Sequence, residues 1–243
     1  MQYAKAFSSH SRGEIVTIQT KKDHQQYYEY KGKYHPPGIA PVKDASGAYH
    51  VDLDDHACYS QRWVQTFGFY CSRAAVISLK GWLHILTDGS PLYEERYLWC
   101  GNYQEEYCAV QSNEGFFHLS HSGKSLYSQR WAYAGDYKEG MAVVCNKEGF
   151  HTHIDRGGHF VHDHWYNDLD VYHKGYACAK DSEGWFHIDL HGSICYQQRY
   201  QKIEPFYNGY ARVQSKCGEY FRINAIGQVV HSIAAEPKQI HFV

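Results

Sequence analysis

The chain repeats itself every 34 or 35 residues, and this repeat constrains the fold more than any other feature. A basic residue stands before an aliphatic one six times, at intervals of 34, 34, 35, 34 and 35 residues. The basic residues of this series are His50, His84, His118, His153, His187 and Arg222. A segment that recurs at such a spacing is one supersecondary element, which must stack on its neighbours to bury its apolar face. We therefore expect one repeat domain.

Two further series run in phase with the first. Small residues in apolar triplets recur at Ala40, Ala75, Ala109, Ala142, Ala177 and Ala211. A Tyr-x-x-Arg motif recurs at Tyr59/Arg62, Tyr93/Arg96, Tyr127/Arg130 and Tyr196/Arg199. Together the three series predict a six-repeat domain over residues 38–243, with repeats near 38–71, 72–105, 106–139, 140–174, 175–208 and 209–243. Residues 1–37 form an N-terminal segment, in which residues 14–20 are a candidate for an additional strand.

The fifth repeat shows the expected local structure. Short runs typical of strands cover residues 176–180, 185–189 and 193–200, and turns with Gly184 and Gly192 separate them. Because no stretch has the 3.6-residue period of a helix, the sequence predicts an all-β protein. A closed six-bladed β-propeller with short blades is favoured, since closure removes exposed strand edges. An open twisted β-solenoid is the alternative, because about 34 residues is short beside the ~40–50 of known blades.

The repeat residues resemble a known family. Gly184-Trp185 with Ile188-Asp189, and Gly81-Trp82 with Ile85, are similar to the WG-type bacterial repeat. Residues 173–177 and 204–209 resemble repeat regions found beside SAM-dependent methyltransferases. The chain itself has no Gly-rich strand-to-helix loop of such an enzyme. The resemblance therefore implies a β-repeat fold and association with a separate enzyme, and it identifies no catalytic residue.

Composition and motifs exclude several classes of function. The formal net charge of −2 and the pI of about 6.8 argue against a general nucleic-acid or anionic-membrane binder. No apolar run approaches the ~18–20 residues that span a bilayer, and no secretory signal is visible. The eight cysteines form no CxxC pair, which favours free thiols and a cytoplasmic location. Nucleotide-binding and hydrolase motifs are absent from the sequence, so we expect no cofactor and favour a non-enzymatic role.

The fourth repeat departs most from the common pattern. Its string His151-Thr152-His153-Ile154-Asp155 would place two imidazoles and a carboxylate on one face of a strand, where a zinc-type ion could bind. Because His153 and Asp155 have counterparts in other repeats, a structural role is favoured and no metal is predicted. The Tyr-x-x-Arg motif is replaced by residues 162–165, HDHW. Since such breaks cluster at sites, the candidate ligand-binding residues are His151, His162, His164, Trp165, Asp168 and Asp170.

The regular series have two interpretations each. The repeated histidines, with nearby aromatic residues, could line a shared surface or pack between repeats with one ring nitrogen bonded to a neighbouring main chain. A second candidate ligand-binding set comprises Arg62, Arg96, Arg130 and Arg199. These guanidinium groups could attract an anion. They could also stack on aromatic rings and pair with acidic residues.

The sequence as a whole favours a non-catalytic, repeat-built binding module that engages a partner protein, a peptide or a polar small molecule, with no nucleic acid and no membrane. One alternative is an enzyme with a histidine-rich, metal-assisted site in the fourth repeat. The other alternative is a structural partner of a methyltransferase-type enzyme. Metal analysis of the purified protein separates the first alternative from a binding module, and co-purification with an enzyme identifies the second.

Overall fold

The computed structural model describes residues 27–233. The chain divides into two compact units, Met1–Asn102 and Tyr103–Val243. Every regular element in the described range is a β-strand, which confirms the all-β prediction. Nowhere in that range is there a helix long and apolar enough to cross a membrane. The candidate strand at residues 14–20 lies outside the described residues.

The strands are short and number nineteen in the described part of the chain. In the first unit they are β1 Tyr30–Lys31, β2 Ala40–Asp44, β3 Gly47–Val51, β4 Gln65–Tyr70, β5 Arg73–Ser78, β6 Gly81–Ile85 and β7 Trp99–Cys100. In the second unit they are β8 Tyr107–Ser112, β9 Gly115–Ser120, β10 Tyr133–Ala134, β11 Met141–Cys145, β12 His151–Asp155, β13 Asp168–Leu169, β14 Tyr176–Lys180, β15 Trp185–Asp189, β16 Lys202–Ile203, β17 Tyr210–Gln214, β18 Tyr220–Asn224 and β19 Val229–Ile233.

In the structure one repeat is one sheet, which combines a first strand, usually of two residues, with an antiparallel hairpin of longer strands. We count each repeat from the first strand of its sheet, so that the fourth, fifth and sixth repeats begin at Tyr133, Asp168 and Lys202. This pattern forms the sheets β1-β2-β3 and β4-β5-β6 in the first unit, and β10-β11-β12 and β13-β14-β15 in the second. The last sheet has a fourth strand, in the order β16-β17-β18-β19. The first strand of the first sheet, Tyr30–Lys31, lies within the segment that the sequence placed before the repeats.

The predicted hairpin of the fifth repeat is confirmed, since β14 and β15 have the expected bounds. The expected third strand at residues 193–200 is wrong. That segment makes only isolated bridges, Ile188 with Ile194 and Trp185 with Tyr200. Between these bridges Tyr196 buries its hydroxyl against His187, and Arg199 donates to main-chain carbonyls of the preceding turn, so the segment does not pair as a continuous strand.

The hairpins bury small and aliphatic residues together with the repeated histidine. In the fifth repeat, Ala177 pairs with Ile188 and Cys178 pairs with His187, and all four are buried. The buried cysteines are free thiols that fill the positions of small apolar residues. The histidine series therefore lies in the core of the repeats, where an imidazole needs hydrogen-bond partners.

Hydrogen bonds between turns also connect successive repeats in the second unit. The Glu105 carboxylate accepts the main-chain N–H groups of Glu139 and Gly140, at 2.7 and 3.0 Å. Glu139 in turn accepts the N–H of Lys174 at 3.2 Å. Each carboxylate thus satisfies the turn of the following repeat, with the spacing that the sequence period imposes.

In four repeats a glycine in the turn after the hairpin packs against a ring of the preceding repeat; these glycines are Gly89, Gly158, Gly192 and Gly227. Gly158 has φ +79°, and a Cβ atom there would lie 2.6 Å from Cγ of Tyr127. Gly209 has nearly the same φ, +80°, but a Cβ there would meet nothing within 4 Å. These two glycines share the backbone strain that a side chain would introduce, and they differ in the space available for it.

We expect Gly158→Ala to lower the free energy of unfolding by roughly 3 kcal/mol and Gly209→Ala by roughly 1 kcal/mol. The left-handed backbone costs an L-residue about 1 kcal/mol at either site, and displacing the Tyr127 ring adds about 2 kcal/mol at Gly158. Urea-induced unfolding of the two variants measures the difference. Equal losses would contradict the proposed contact between the ring and the turn.

Candidate functional site

The repeated histidines point one ring nitrogen at a main-chain carbonyl of the following repeat. The Nε2–O distances are 2.8 Å from His50 to Phe67, 2.8 Å from His84 to Gly101, 2.7 Å from His118 to Gly135, 2.9 Å from His153 to Asp170 and 2.9 Å from His187 to Glu204. A carbonyl oxygen only accepts, so Nε2 carries the proton in each ring. In a neutral imidazole Nδ1 is then an acceptor.

A tyrosine nine residues later supplies the donor for Nδ1 in four repeats. The hydroxyl of Tyr93 lies 2.6 Å from Nδ1 of His84, and those of Tyr127 and Tyr196 lie 2.5 Å from their histidines. Tyr59 and His50 form the same pair. The Tyr of each Tyr-x-x-Arg motif therefore has a structural role. We call the histidine, its partner nine residues on and the carbonyl seventeen residues on the repeat link.

The histidine rings also pack on aromatic rings of the following repeat. Centroid distances are 4.6 Å from His50 to Phe69, 4.5 Å from His118 to Tyr137 and 4.1 Å from His187 to Phe206. The repeated histidines are thus packed between repeats and do not line a shared surface. Of the two interpretations from the sequence, the structural one is confirmed.

Burial keeps these imidazoles neutral. It lowers the pKa of His50, His84, His118 and His187 to about 4 and that of His153 to about 3. The main-chain carbonyl opposes the shift in every ring, but desolvation of the charged form is the larger effect. Near neutral pH these rings are therefore not poised to exchange protons with a substrate.

The fourth repeat builds its link from two histidines. His162 replaces the tyrosine, is 7% exposed, and places its Nε2 3.0 Å from Nδ1 of His153. Because His153 Nδ1 must accept, His162 Nε2 carries a proton, and His162 Nδ1 then accepts the main-chain N–H of His164 at 3.3 Å. Two residues that the sequence singled out, His162 and His164, are thus brought together, one buried and one exposed.

The arginine series is held against its own repeat. The guanidinium carbons of Arg62, Arg130 and Arg199 lie 3.7, 3.7 and 3.8 Å from the ring centroids of Tyr49, Phe117 and Phe186. In all four members, including Arg96, Nη1 donates to consecutive main-chain carbonyls of the preceding turn. Arg199 also pairs with Asp181 at 2.7 Å. These contacts favour stacking and pairing, and anion binding by this series stays a prediction.

The fourth repeat replaces both halves of this stacked pair. Trp165 stands in the arginine position and Thr152 in the position of the aromatic ring, and the Thr152 hydroxyl donates to the His164 carbonyl at 2.9 Å. Trp165 is 37% exposed and contacts Phe160, which is 52% exposed, at 5.6 Å between ring centroids. Trp131 of the preceding repeat lies 6.1 Å from Phe160 and 6.4 Å from Trp165. We call these three rings the aromatic patch.

The remaining candidates lie around this loop. His151 is half-buried at the start of β12, and its main chain pairs with that of Tyr166. Asp168 and Asp170 are exposed and belong to the first-strand region of the fifth repeat, where the Asp170 carbonyl receives the link from His153. Sequence reasoning missed Phe160 and Trp131. The signal for Phe160 was an aromatic residue where the other repeats have Ala57, Pro91, Ser125 and Ile194.

The HxHxD string of the fourth repeat does not assemble ligands for an ion. Within residues 27–233, the group of side chains whose ligand atoms lie within 4.8 Å of one another is Asp52, Asp54 and His56, in the first unit. Asp52 Oδ1 there accepts the N–H groups of Asp54 and His56, as a turn-forming carboxylate does. Both ring nitrogens of His153 instead form the hydrogen bonds of the repeat link.

Solved structures with a similar arrangement share little sequence with the chain. BamB from Moraxella catarrhalis is 11% identical, with a TM-score of 0.48 over 84% of this chain and 72% of that chain. The computationally designed Ika8 protein is 13% identical, with a TM-score of 0.47 over 88% and 76%. Saccharomyces cerevisiae Sqt1 is 12% identical, with a TM-score of 0.46 over 84% and 73%. No curated protein matches the sequence.

A family comparison matches one segment of the repeat domain. Residues 186–216 match the family described as "WG containing repeat". The segment begins within β15 and extends through the fifth repeat link to β17, so it contains His187, Tyr196 and the Glu204 carbonyl. This match supports the WG-type β-repeat family that the sequence resembles.

Proposed function

We propose that the chain is a non-catalytic binding module and that the fourth repeat carries its contact surface for a partner protein or peptide. One observation carries the proposal. The repeated histidines and tyrosines, which a catalytic site would draw on, are taken up by links between repeats, whereas Trp165 and Phe160 are exposed rings at positions where the other repeats keep an arginine or a smaller residue.

The chemistry of the fourth-repeat surface fits a protein contact. Exposed aromatic side chains anchor protein interfaces, and polar residues at their rim supply orientation. Trp165 and Phe160 would be the anchors, and His164, Asp168 and Asp170 would supply polar contacts. His162 is buried within the same loop and bonds to His153, and the main chain of His151 pairs with that of Tyr166 next to Trp165.

The repeated antiparallel sheets and the regular sequence period support closure into a six-bladed propeller with short blades, which we propose over an open twisted solenoid. A separate methyltransferase-type enzyme is one candidate partner, because residues 173–177 and 204–209 resemble repeats found beside such enzymes. A cytoplasmic location stays a prediction, as does the anion-binding role of Arg62, Arg96, Arg130 and Arg199.

The proposal is tested by replacing Trp165 and comparing a matched tryptophan elsewhere. Trp99 is 36% exposed, almost as Trp165 is, and lies in the first unit. We expect Trp165→Ala to reduce chemical cross-linking of partner proteins in extract of the source cell at least tenfold. Trp99→Ala should leave cross-linking as in the wild type.

Both variants should melt within a few degrees of the wild type, so that lost capture reflects lost contact. Equal capture by all three proteins would reject the fourth-repeat surface. Failure of the wild type to capture any protein would reject a protein partner altogether.

A further inference from the structure

The exchange of tyrosine for histidine at position 162 changes how the repeat link responds to a proton. A tyrosine hydroxyl both donates and accepts. When the histidine of an ordinary link gains a proton at Nδ1, the hydroxyl can rotate and accept it. The link of His118 and Tyr127, for example, keeps a hydrogen bond in either state.

The fourth repeat has no such freedom. Its donors run in one direction, from the His164 N–H to His162 Nδ1, from His162 Nε2 to His153 Nδ1, and from His153 Nε2 to the Asp170 carbonyl. A proton added at Nδ1 of His153 leaves two N–H groups facing each other across the contact with His162, and two N–H donors repel. A proton added at Nδ1 of His162 removes the acceptor of the His164 N–H. Protonation in place therefore costs a hydrogen bond at either ring.

We propose that the link of the fourth repeat opens in mild acid before the other links do, and that its opening takes apart the aromatic patch. His162 lies between Phe160 and Trp165 on one loop. That loop is held to β12 by the Val161 N–H on the His153 carbonyl at 3.0 Å and by Thr152 on the His164 carbonyl. Once His162 leaves its site, both rings of the loop lose their fixed position beside Trp131.

The surroundings of the pair favour opening over protonation in place. His164 faces the His162 ring at 5.9 Å and lowers the pKa of His162, whereas Asp163 on the same loop raises it. Tyr166 and Tyr172 pack against the two rings at 5.8 and 4.2 Å. On the side of the following repeat, His162 packs on the main chain at Gly192. Burial also lowers the pKa of both histidines, which disfavours a charge on either ring in the closed state.

The expected size of the effect follows from counting imidazoles. Opening exposes two in the fourth repeat and one in each tyrosine-containing repeat. With an ordinary pKa near 6.5, each exposed imidazole raises the opening constant about tenfold between pH 7.5 and 5.5. The opening constant should therefore rise about 100-fold in the fourth repeat and about tenfold in the fifth.

Hydrogen exchange at two equivalent amides measures these openings. The N–H of Val161 donates to His153, and the N–H of Cys195 donates to His187 in the same position of the fifth repeat. After correction for the intrinsic exchange rate, protection of Val161 should fall about 100-fold from pH 7.5 to 5.5, and protection of Cys195 about tenfold.

Two reciprocal variants test the cause. His162→Tyr restores the common link and should bring the change at Val161 down to about tenfold. Tyr196→His creates a histidine pair in the fifth repeat and should raise the change at Cys195 to about 100-fold. Equal falls at Val161 and Cys195 in the wild type would overturn the inference, and so would a Tyr196→His protein that behaves as the wild type does. If His162→Tyr does not fold, the comparison of Val161 with Cys195 in the wild type and the comparison of Tyr196→His with the wild type still test the inference.

The consequence for binding rests on the proposed function, and the two can fail separately. A partner cross-linked through Trp165 at pH 7.5 should be lost at pH 5.5 by the wild type and retained by His162→Tyr. If hydrogen exchange at Val161 depends on pH as expected but Trp165→Ala does not affect capture, the acid opening stands and the contact surface is rejected. If capture depends on Trp165 but the pH dependence of exchange is the same in both repeats, the contact surface stands and the acid opening is rejected.

Discussion

Lowering the pH from 7.5 to 5.5 should reduce the free energy of unfolding by at least about 7 kcal/mol. Five buried histidines have folded-state pKa values of about 3 or 4. In the unfolded chain the same imidazoles have an ordinary pKa near 6.5 and take up protons in this range. The unfolded state then binds more protons than the folded state, so stability is complete above pH 6.5 and falls as the pH drops towards 4. Each of the five contributes about 1.4 kcal/mol to the loss, and the buried His162 adds to it.

Urea-induced unfolding at half-unit steps of pH measures this slope. Carboxylates with lowered pKa values, such as Asp88 and Asp181, add their own loss only near and below their ordinary pKa of about 4. The window from pH 7.5 to 5.5 therefore reports mainly on the imidazoles. A total change below about 2 kcal/mol would show that the histidines are accessible to protons in the folded state.

Removing one histidine from a repeat link should cost about 4 kcal/mol. In His118→Ala, the Gly135 carbonyl and the Tyr127 hydroxyl lose their partner in the core, at about 1–2 kcal/mol each. The ring also leaves a cavity against Tyr137, which adds a further 1–2 kcal/mol. Thermal and urea unfolding give the loss directly.

Two variants calibrate the loss in His118→Ala. His164→Ala removes an exposed imidazole and should change stability by less than about 0.5 kcal/mol. Tyr127→Phe keeps the ring and removes only the hydroxyl, so it should cost about 1–2 kcal/mol. If His118→Ala proves as mild as His164→Ala, the repeated histidine is not what joins the repeats.

The repeat positions were predictable from the sequence because they recur. Buried positions of each hairpin show up as small residues and histidines at a fixed spacing, and the strands of the fifth repeat, 176–180 and 185–189, follow from them. The path of residues 193–200 was not predicted correctly. It is set by a hydrogen bond between residues nine apart, Tyr196 and His187, and the recurrence of Tyr196 in the sequence does not reveal its partner.

The sequence predicted where in the chain the candidate site lies, but it did not predict how the side chains of that site are arranged. Comparison of the repeats singled out His162 and Trp165 as departures, and both lie on the loop that carries the aromatic patch. The sequence did not separate the buried role of His162 from the exposure of Trp165, because each depends on a residue of β12. His162 is buried because it donates to Nδ1 of His153. Trp165 accompanies the replacement of an aromatic ring by Thr152.

The central claim is that neutral, buried histidines join one repeat to the next, and nitrogen NMR of the imidazole rings tests it most directly. For His50, His84, His118 and His187, the four histidines with a tyrosine partner, we expect the neutral form with the proton on Nε2, unchanged from pH 7.5 to 5.5 in the folded protein. Titration of these rings with a midpoint near the ordinary value of about 6.5, or a proton on Nδ1 at neutral pH, would contradict it.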